Sequence, residues 1–432
     1  MREMKDSGDN WIGSIPKEWN VKRIKNVVVS MSKGNGITKD EVILNGDTPC
    51  VRYGEIYSKY DNGFTRCISA TNVHLIPSPQ YFGYGDILCA ATGELVEEIG
   101  KSVVYLGDGR CLAGGDIIVI HHNQVPSFFN YSLNCHCSQA QKSCKKTKLK
   151  VVHISTSDIG SVIMALPPIE EQRRIADFLD RKCADIDNVL LMTKTSIKEY
   201  KKLKQSVITE AVTKGIRGER PMKDSGIEWI GEIPEEWTVI KFGYCAHIKS
   251  NLVDPSLYPD YPQIAPDVIG KGNAKIEGEI TSVKESGIIS WNHLFSKGQI
   301  IYSKIRPLLN KLIIAPFDGL CSADMYPIES DLDISFTKYM MLSSYFLEQV
   351  KQVTEDRVKM PKVNQEELSA FKVVIPPCKS EQVAIASYLD QKCSEIDSLI
   401  ASKEKFIAKL ESYKKSLIYE YVTGKKEVPS NA

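Results

Sequence analysis

The side chains of this sequence best suited to hold another molecule are cationic and come in short clusters. Lys142, Lys145, Lys146, Lys148 and Lys150 fall within nine residues with no acid between them. Arg52 stands beside Tyr53 and Gly54, ahead of Lys59. Further on come Lys304-Ile305-Arg306-Pro307 with Lys311, and then Arg357-Val358-Lys359 with Lys362. Lysine and arginine grouped on one face, with polar or backbone donors between them, are what phosphate contacts require. Arginine and the amide side chains can also read base edges bidentately, whereas lysines mostly hold phosphates. For any single run a solvated charged face is the plain alternative. The recurrence of basic loops in two otherwise unlike segments weighs toward nucleic acid. Lys198, Lys201, Lys202 and Lys204 read instead as a solvated helix flank or a partner surface. The net charge of +1 decides nothing, because distribution and not the sum makes an electrostatic footprint.

Bond-breaking chemistry has no recognisable machinery here. An adenine methyltransferase needs Asn/Asp-Pro-Pro-aromatic, but the two Pro-Pro pairs follow Leu166 and Ile375 and precede Ile169 and Cys378. No GxGxxG follows a strand-like run. The stretch GELVEEIGKS (93–102) has Leu95 where a phosphate-binding loop needs glycine, and Glu94, Glu97 and Glu98 would repel phosphate. His121 and His122 end a strand-like run and read as solvent-facing. Acid pairs such as Asp324 with Glu329 are too generic to name a nuclease. The twelve cysteines contain no CxxC, and Cys135, His136, Cys137 and Cys144 do not have zinc spacing, so buried reduced thiols such as Cys89, Cys111 and Cys321 are expected. The expectation is no catalytic residue and no metal. No apolar run approaches the ~18 to 20 residues that span a bilayer. The charged start lacks a signal-peptide core, so a cytoplasmic protein without a membrane partner is expected.

What must position these side chains is a duplicated frame. MKDSGDNWIGSIPKEWNV (4–21) recurs as MKDSGIEWIGEIPEEWTV (222–239), identical at 13 of 18 positions. EQRRIADFLDRKCADID (171–187) recurs as EQVAIASYLDQKCSEID (381–397), identical at 10 of 17. Between these pieces, 22–165 and 240–374 do not align convincingly. Two copies of one scaffold thus carry two private inserts, which implies two specificities. Apolar steps of three and four predict a coiled-coil seam through Leu179, Ile186, Leu203 and Val207 in one copy and Leu389, Ile396, Leu410 and Leu417 in the other. About 42 residues at 1.5 Å each make rods on the order of 60 Å, and antiparallel pairing is geometrically easiest. Two separate amphipathic helices are the alternative, kept alive by Lys182, Thr193 and Lys403 at seam positions. The inserts read as strands and turns with helical pieces at 127–143 and 335–353. The fold class is therefore α+β. Two globular α+β domains, 1–166 and 218–376, alternate with two long helices, 167–217 and 377–432, that pair as an antiparallel coiled coil in an internal pseudo-twofold repeat.

With these residues in view, the chain resembles the specificity (S) subunit of type I restriction–modification systems. The likeness rests on SGxxWIGxIPxEW opening each half and on the PP-x3/4-EQ-x2-IA-x2-LD-x-K entry to each helix. The insert phrases VRYGEIY, CLAGGDIIVI and IIYSKIRPLLNKLIIAPFDGLCS carry it further. It covers essentially the whole chain. It implies that each globular domain is a target recognition domain reading one half of a bipartite, asymmetric double-stranded DNA site. The helices would set the spacing and dock two methyltransferase subunits. Restriction subunits, with nuclease and translocase, would join them. S-adenosylmethionine, ATP and Mg are expected on those partners, and no cofactor on this chain, which would be non-catalytic. By the same resemblance the basic insert residues are DNA-contact candidates. A methylation-only system and a non-DNA two-headed coiled-coil scaffold remain the alternatives.

Overall fold

The computed structural model describes residues 2–144, 146, 151–357 and 361–429. The chain forms two compact units, one of Met1–Thr193 with Lys405–Ala432 and one of Lys194–Glu404. Two long helices, Ile169–Lys214 and Lys379–Val422, contain 46 and 44 residues. At 1.5 Å per residue each is about 65 to 70 Å long. The boundary between units falls inside both helices, so each unit owns one half of each. The carbonyls of Pro168 and Cys378 accept the first helical N–H groups. Both helices stop at a glycine in the left-handed region, Gly215 at φ 78° and Gly424 at φ 69°, where a side chain would be strained. No described helix is long and apolar enough to cross a membrane.

Within each unit the two half-helices run antiparallel. In the first, Lys414 Nζ lies 2.6 Å from Asp187 and the rings of Phe178 and Tyr421 are 4.6 Å apart. In the second, Lys204 Nζ lies 2.7 Å from Asp397 and the Lys403 amine sits over the Tyr200 ring. As one number rises the other falls, which fixes the direction. Leu179, Ile186, Leu389, Ile396 and Leu417 are buried, and Val207 and Leu410 pack partly buried against them. Leu203 departs from the expected seam, being 48% exposed. The buried stripe passes through Ile197 and Ile208, with Lys204 turned inward to Asp397. Leu203 precedes Lys204 by one residue and so points about 100° away round the helix. Thr193 sits in the stripe with its hydroxyl satisfied by Val189 O at 2.7 Å.

The repeated helix motif has a physical account position by position. Glu171 and Glu381 each accept an arginine, Arg2 at 2.5 Å and Arg220 at 2.8 Å. Those guanidiniums lie over the rings of Trp19 and Trp237, both fully buried. Gln172 and Gln382 accept the Val125 and Asp333 N–H groups at 3.1 and 2.9 Å, holding the start of a shorter helix. Asp180 and Asp390 accept the hydroxyls of Tyr131 and Tyr339 at 2.8 and 2.6 Å. Ile175, Ala176, Leu179, Cys183 and Ile186 are buried, as are Ile385, Ala386, Leu389, Cys393 and Ile396. Asp187 and Asp397 take the lysines named above. Of the identical positions, Lys182/Lys392 is the pair that makes no contact with the rest of its unit beyond its own helix among the described residues, Lys392 pairing with Glu395 one turn on.

The two inserts, unalignable in sequence, are built on one plan. In the first unit Val28–Lys33, Ile117–His122, Ile87–Ala90 and Ser102–Tyr105 pair antiparallel in that order. In the second, Ala246–Ile248, Met325–Ser330, Ile300–Ser303 and Leu312–Ile314 do the same. A second sheet in each unit has one parallel pair, Thr48–Val51 with Cys111–Ala113 and Pro262–Ile264 with Gly319–Ser322. The first unit adds Gly63–Phe64 and the second adds Leu252–Val253 at a sheet edge. The expected helical pieces are each broken in two, Pro126–Asn134 and His136–Ser143, then Ile334–Leu342 and Ser344–Thr354. At the breaks Cys135 and Ser343 adopt extended backbone.

Leu389→Ala is expected to cost about 2 to 5 kcal/mol, because it opens a cavity in a closed seam. Leu203→Ala should stay within about 0.5 kcal/mol. Urea unfolding of the two full-length variants distinguishes them, and equal losses would show that the seam has been placed wrongly.

Candidate nucleic-acid interface

In the second unit the basic candidates converge on one corner. The strands Ile300–Ser303 and Leu312–Ile314 are joined by a tight turn in which Arg306 (φ 44°) and Asn310 (φ 43°) are left-handed. Non-glycine residues seldom adopt that backbone, so the surroundings must hold it. Arg306 N donates to Pro361 O at 3.0 Å, Ile305 bridges to Lys362, and Val363 N donates to Lys304 O at 3.0 Å. Asn310, buried, donates to Met341 O at 3.0 Å. Lys304, Arg306, Arg357 and Lys362 are thereby gathered where 361–363 meets the turn, Arg357 through its donation to Lys362 O.

Their side chains are not equally available. Lys362 Nζ is 3.6 Å from Asp324, and the Lys304 amine lies over the Tyr326 ring. Arg357 grips Glu367 with its fork and also donates to Lys362 O. Lys311 turns away from the corner and donates to Pro266 O at 2.5 Å. Arg306 is exposed, and among the described residues its guanidinium has no hydrogen bond or ion pair. Lys359 lies outside the described residues.

The first unit repeats the corner with other residues. Thr92–Gly93 pairs with Val152–His153 where the second unit has its Ile305–Lys362 bridge. In sequence the lysine-rich run precedes that pairing, as Arg357 and Lys359 precede theirs. Lys146 is tied to Asp158 at 2.9 Å, while Lys145, Lys148 and Lys150 lie outside the described residues. Lys142 leaves the cluster altogether. It is buried, donates to Gly100 O at 2.7 Å, and burial lowers its pKa. Lys101, not singled out from sequence, donates to Tyr60 O at 3.1 Å from the residue just before a strand, as Lys311 does. That shared position was the only available signal.

Arg52 and Tyr53 line a cavity of about 730 Å³ with Lys39, Lys59, Glu55 and Gly114–Gly115. Glu55 is buried. It accepts Arg52 N at 3.1 Å, the Ser69 hydroxyl at 2.5 Å and Arg52 Nε at 3.2 Å. This fixes the guanidinium at its Nε and leaves its two terminal nitrogens without acceptors among the described residues. Gly114 N donates to Val51 O, and a Cβ on Gly114 would lie 3.0 Å from that oxygen. The parallel-pair register equates Val51 with Ile264, so the second unit has Ala265 where the first has Arg52. One framework thus presents different chemistry at the same point.

The remaining candidates are structural. His122 is not solvent-facing as expected. Its ring lies 4.4 Å from that of Phe129, and burial pushes its pKa down to about 4. His121 Nδ1 is 2.6 Å from Asp86. Asp324 and Glu329 do not form a pair, since Glu329 is held by Lys249 at 2.8 Å. Cys89, Cys111 and Cys321 are buried, and burial pushes the Cys89 thiol up to about 11.

Comparison with known proteins places the chain in a family. The model of the type I restriction modification DNA specificity domain matches twice, at residues 16–199 and 234–412. The chain is 32% identical over 289 residues to the type I restriction enzyme EcoDI specificity subunit of Escherichia coli, covering 63% of this chain and 64% of that one. It is 26% identical over 431 residues to a putative type I restriction enzyme MjaX specificity subunit of Methanocaldococcus jannaschii, covering 96% and 95%. A solved structure titled for complex assembly and conformational transition of the type I R-M system shares the fold. Its TM-score is 0.70 at 16% identity, over 95% of this chain and 99% of that one. The duplicated frame and a family match covering most of the chain make this protein a member of the type I restriction modification DNA specificity family.

Proposed function

We propose that each unit reads one half of a bipartite, asymmetric DNA sequence and that the long helices set the gap between the halves. The observation that carries this is the pair of corners, built on one topology and holding different cations. Arg52 and Arg306 are the proposed base readers, because both keep terminal guanidinium nitrogens uncommitted while the backbone around them is fixed. Lys59, Lys146, Lys304, Arg357 and Lys362 hold phosphates or position the readers. Lys145, Lys148, Lys150 and Lys359, outside the described residues, are DNA-contact candidates by their place in the sequence alone. Lys311 supports the fold of its corner, and Tyr53 lines the Arg52 cavity.

Two copies of a methyltransferase subunit are the proposed partners, carrying S-adenosylmethionine, with ATP and Mg entering on restriction subunits in the cytoplasm. Exposed apolar side chains recur on the duplicated frame. Trp11 and Trp229 are 45% and 39% exposed, and Leu203 and Tyr413 are both exposed at positions 210 residues apart. Identical subunits need identical contact points, and the repeated frame supplies them. The chain itself is proposed to be non-catalytic.

Methylome sequencing of a host expressing the chain with its neighbouring methyltransferase tests the reading. A split adenine-methylated motif should be found and should vanish on deletion of this gene. Arg52→Ala should relax or abolish the first half of the motif alone and Arg306→Ala the second, each costing about 1 to 3 kcal/mol in affinity. Loss of both halves by either single variant would sink the assignment of one unit to one half.

The spacing role has its own test. Deleting whole helical turns around Thr195, with the matching turns from the antiparallel helix, should change the gap length and leave both half-sites intact. Altered half-sites at an unchanged gap would contradict it.

A further inference from the structure

Beside the second unit's basic corner stands an apolar projection that the cationic residues do not explain. The helical turn Val283–Ser286 ends at Gly287, left-handed at φ 65°, and the strand Asn292–Phe295 begins five residues later. Between them Ile289 is 94% exposed and Trp291 59% exposed. The projection is held in place. The buried Asn292 donates from Nδ2 to Ser290 O at 2.8 Å, and Ser282 and Glu285 close a capping box on the preceding turn. Two large apolar side chains exposed two residues apart on a fixed turn make a candidate contact patch.

Strand pairing places the projection near the corner. Asn292 is in register with Ser322, and Ser322 Oγ accepts Asp324 N at 3.2 Å. Asp324 O accepts Lys304 N, and Asp324 faces Lys362. Trp291 thus immediately precedes a strand paired with the one that leads through Ser322 and Asp324 to Lys304 and Lys362, two cations against the carboxylate of Asp324. That surplus complements a phosphate backbone and disfavours a cationic protein surface.

We infer that Trp291, supported by Ile289, is a wedge that stacks against bases of the half-site read by the second unit. This rests on the proposed DNA-reading function and extends it to shape readout. Apolar side chains inserted at a base step unstack it and let flexible steps be chosen over stiff ones. The matching connection of the first unit, 72–80, has no tryptophan, tyrosine or phenylalanine. The distortion is thus confined to one half of the site.

The experiment uses the full chain assembled with its methyltransferase and duplexes of the methylated motif carrying 2-aminopurine at successive positions. Wild type should raise the fluorescence at one step in the second half-site and at none in the first. Trp291→Ala should abolish that rise and weaken binding on the order of tenfold, with the salt dependence unchanged because no phosphate contact is lost. Trp291→Phe should retain most of both signals. Ile289→Ser, which removes no core side chain, should reduce the fluorescence change. The inference fails if Trp291→Ala keeps wild-type affinity and fluorescence. It fails equally if the variant binds DNA normally once assembled but assembles poorly, which would make the projection a protein contact. If wild type binds no duplex specifically, the DNA-reading function falls and the wedge with it.

Discussion

The structure depends on a carboxylate placed at the first turn of each long helix. Glu171 receives both terminal nitrogens of Arg2, at 2.5 and 2.8 Å, and the Trp19 indole N–H at 2.9 Å. Glu381 receives Arg220, which also donates to Lys214 O at the far end of the other helix. A helix N-terminus favours negative charge, and a bidentate arginine is the partner that best offsets desolvation. Removing one member would leave an uncompensated charge, at a cost on the order of 3 to 5 kcal/mol for a buried pair. The clasp differs between copies, since Glu381 receives one terminal nitrogen of Arg220 where Glu171 receives two of Arg2. The Trp237 indole nitrogen has no partner among the described residues, whereas that of Trp19 does.

From that anchor the rest of each unit follows. The next residue, Gln172 or Gln382, holds the start of a short helix through its backbone N–H. About two turns further on, buried Leu179 or Leu389 closes the seam. The adjoining aspartate then fixes a tyrosine of that same short helix. A helix whose inner face is specified so completely leaves its inserts free to vary, because the contacts between frame and insert use backbone groups and a few fixed side chains. This is how one topology carries Arg52 at a position where its twin carries Ala265.

The same logic divides the cations. A lysine or arginine already paired with a carboxylate or a carbonyl in the folded chain must give up that partner to bind phosphate. Arg357 on Glu367 and Lys311 on Pro266 O serve the framework first. Arg306 and Arg52 have their backbones fixed and, among the described residues, their terminal nitrogens without acceptors, which is the preorganised state that recognition requires. The strain of a left-handed Arg306 is borne by its bonds to 361–363, so binding need not supply it.

The sequence by itself determined the frame. The identity of 4–21 with 222–239, and of 171–187 with 381–397, reports repeated local contacts, and a seam of threes and fours is a one-dimensional signal. The family was legible for the same reason. Only the tertiary structure decided the shared plan of the inserts, since strand pairing joins residues far apart and many apolar sequences satisfy one register. It also decided Leu203, displaced from the stripe by a single residue, and Lys142, drawn out of a basic run into the core. His122, read as exposed, proved to be packed on Phe129. Which cation is free and which is spent depends on partners such as Asp324, Glu367 and Pro266, none of which lies close enough in sequence to announce itself.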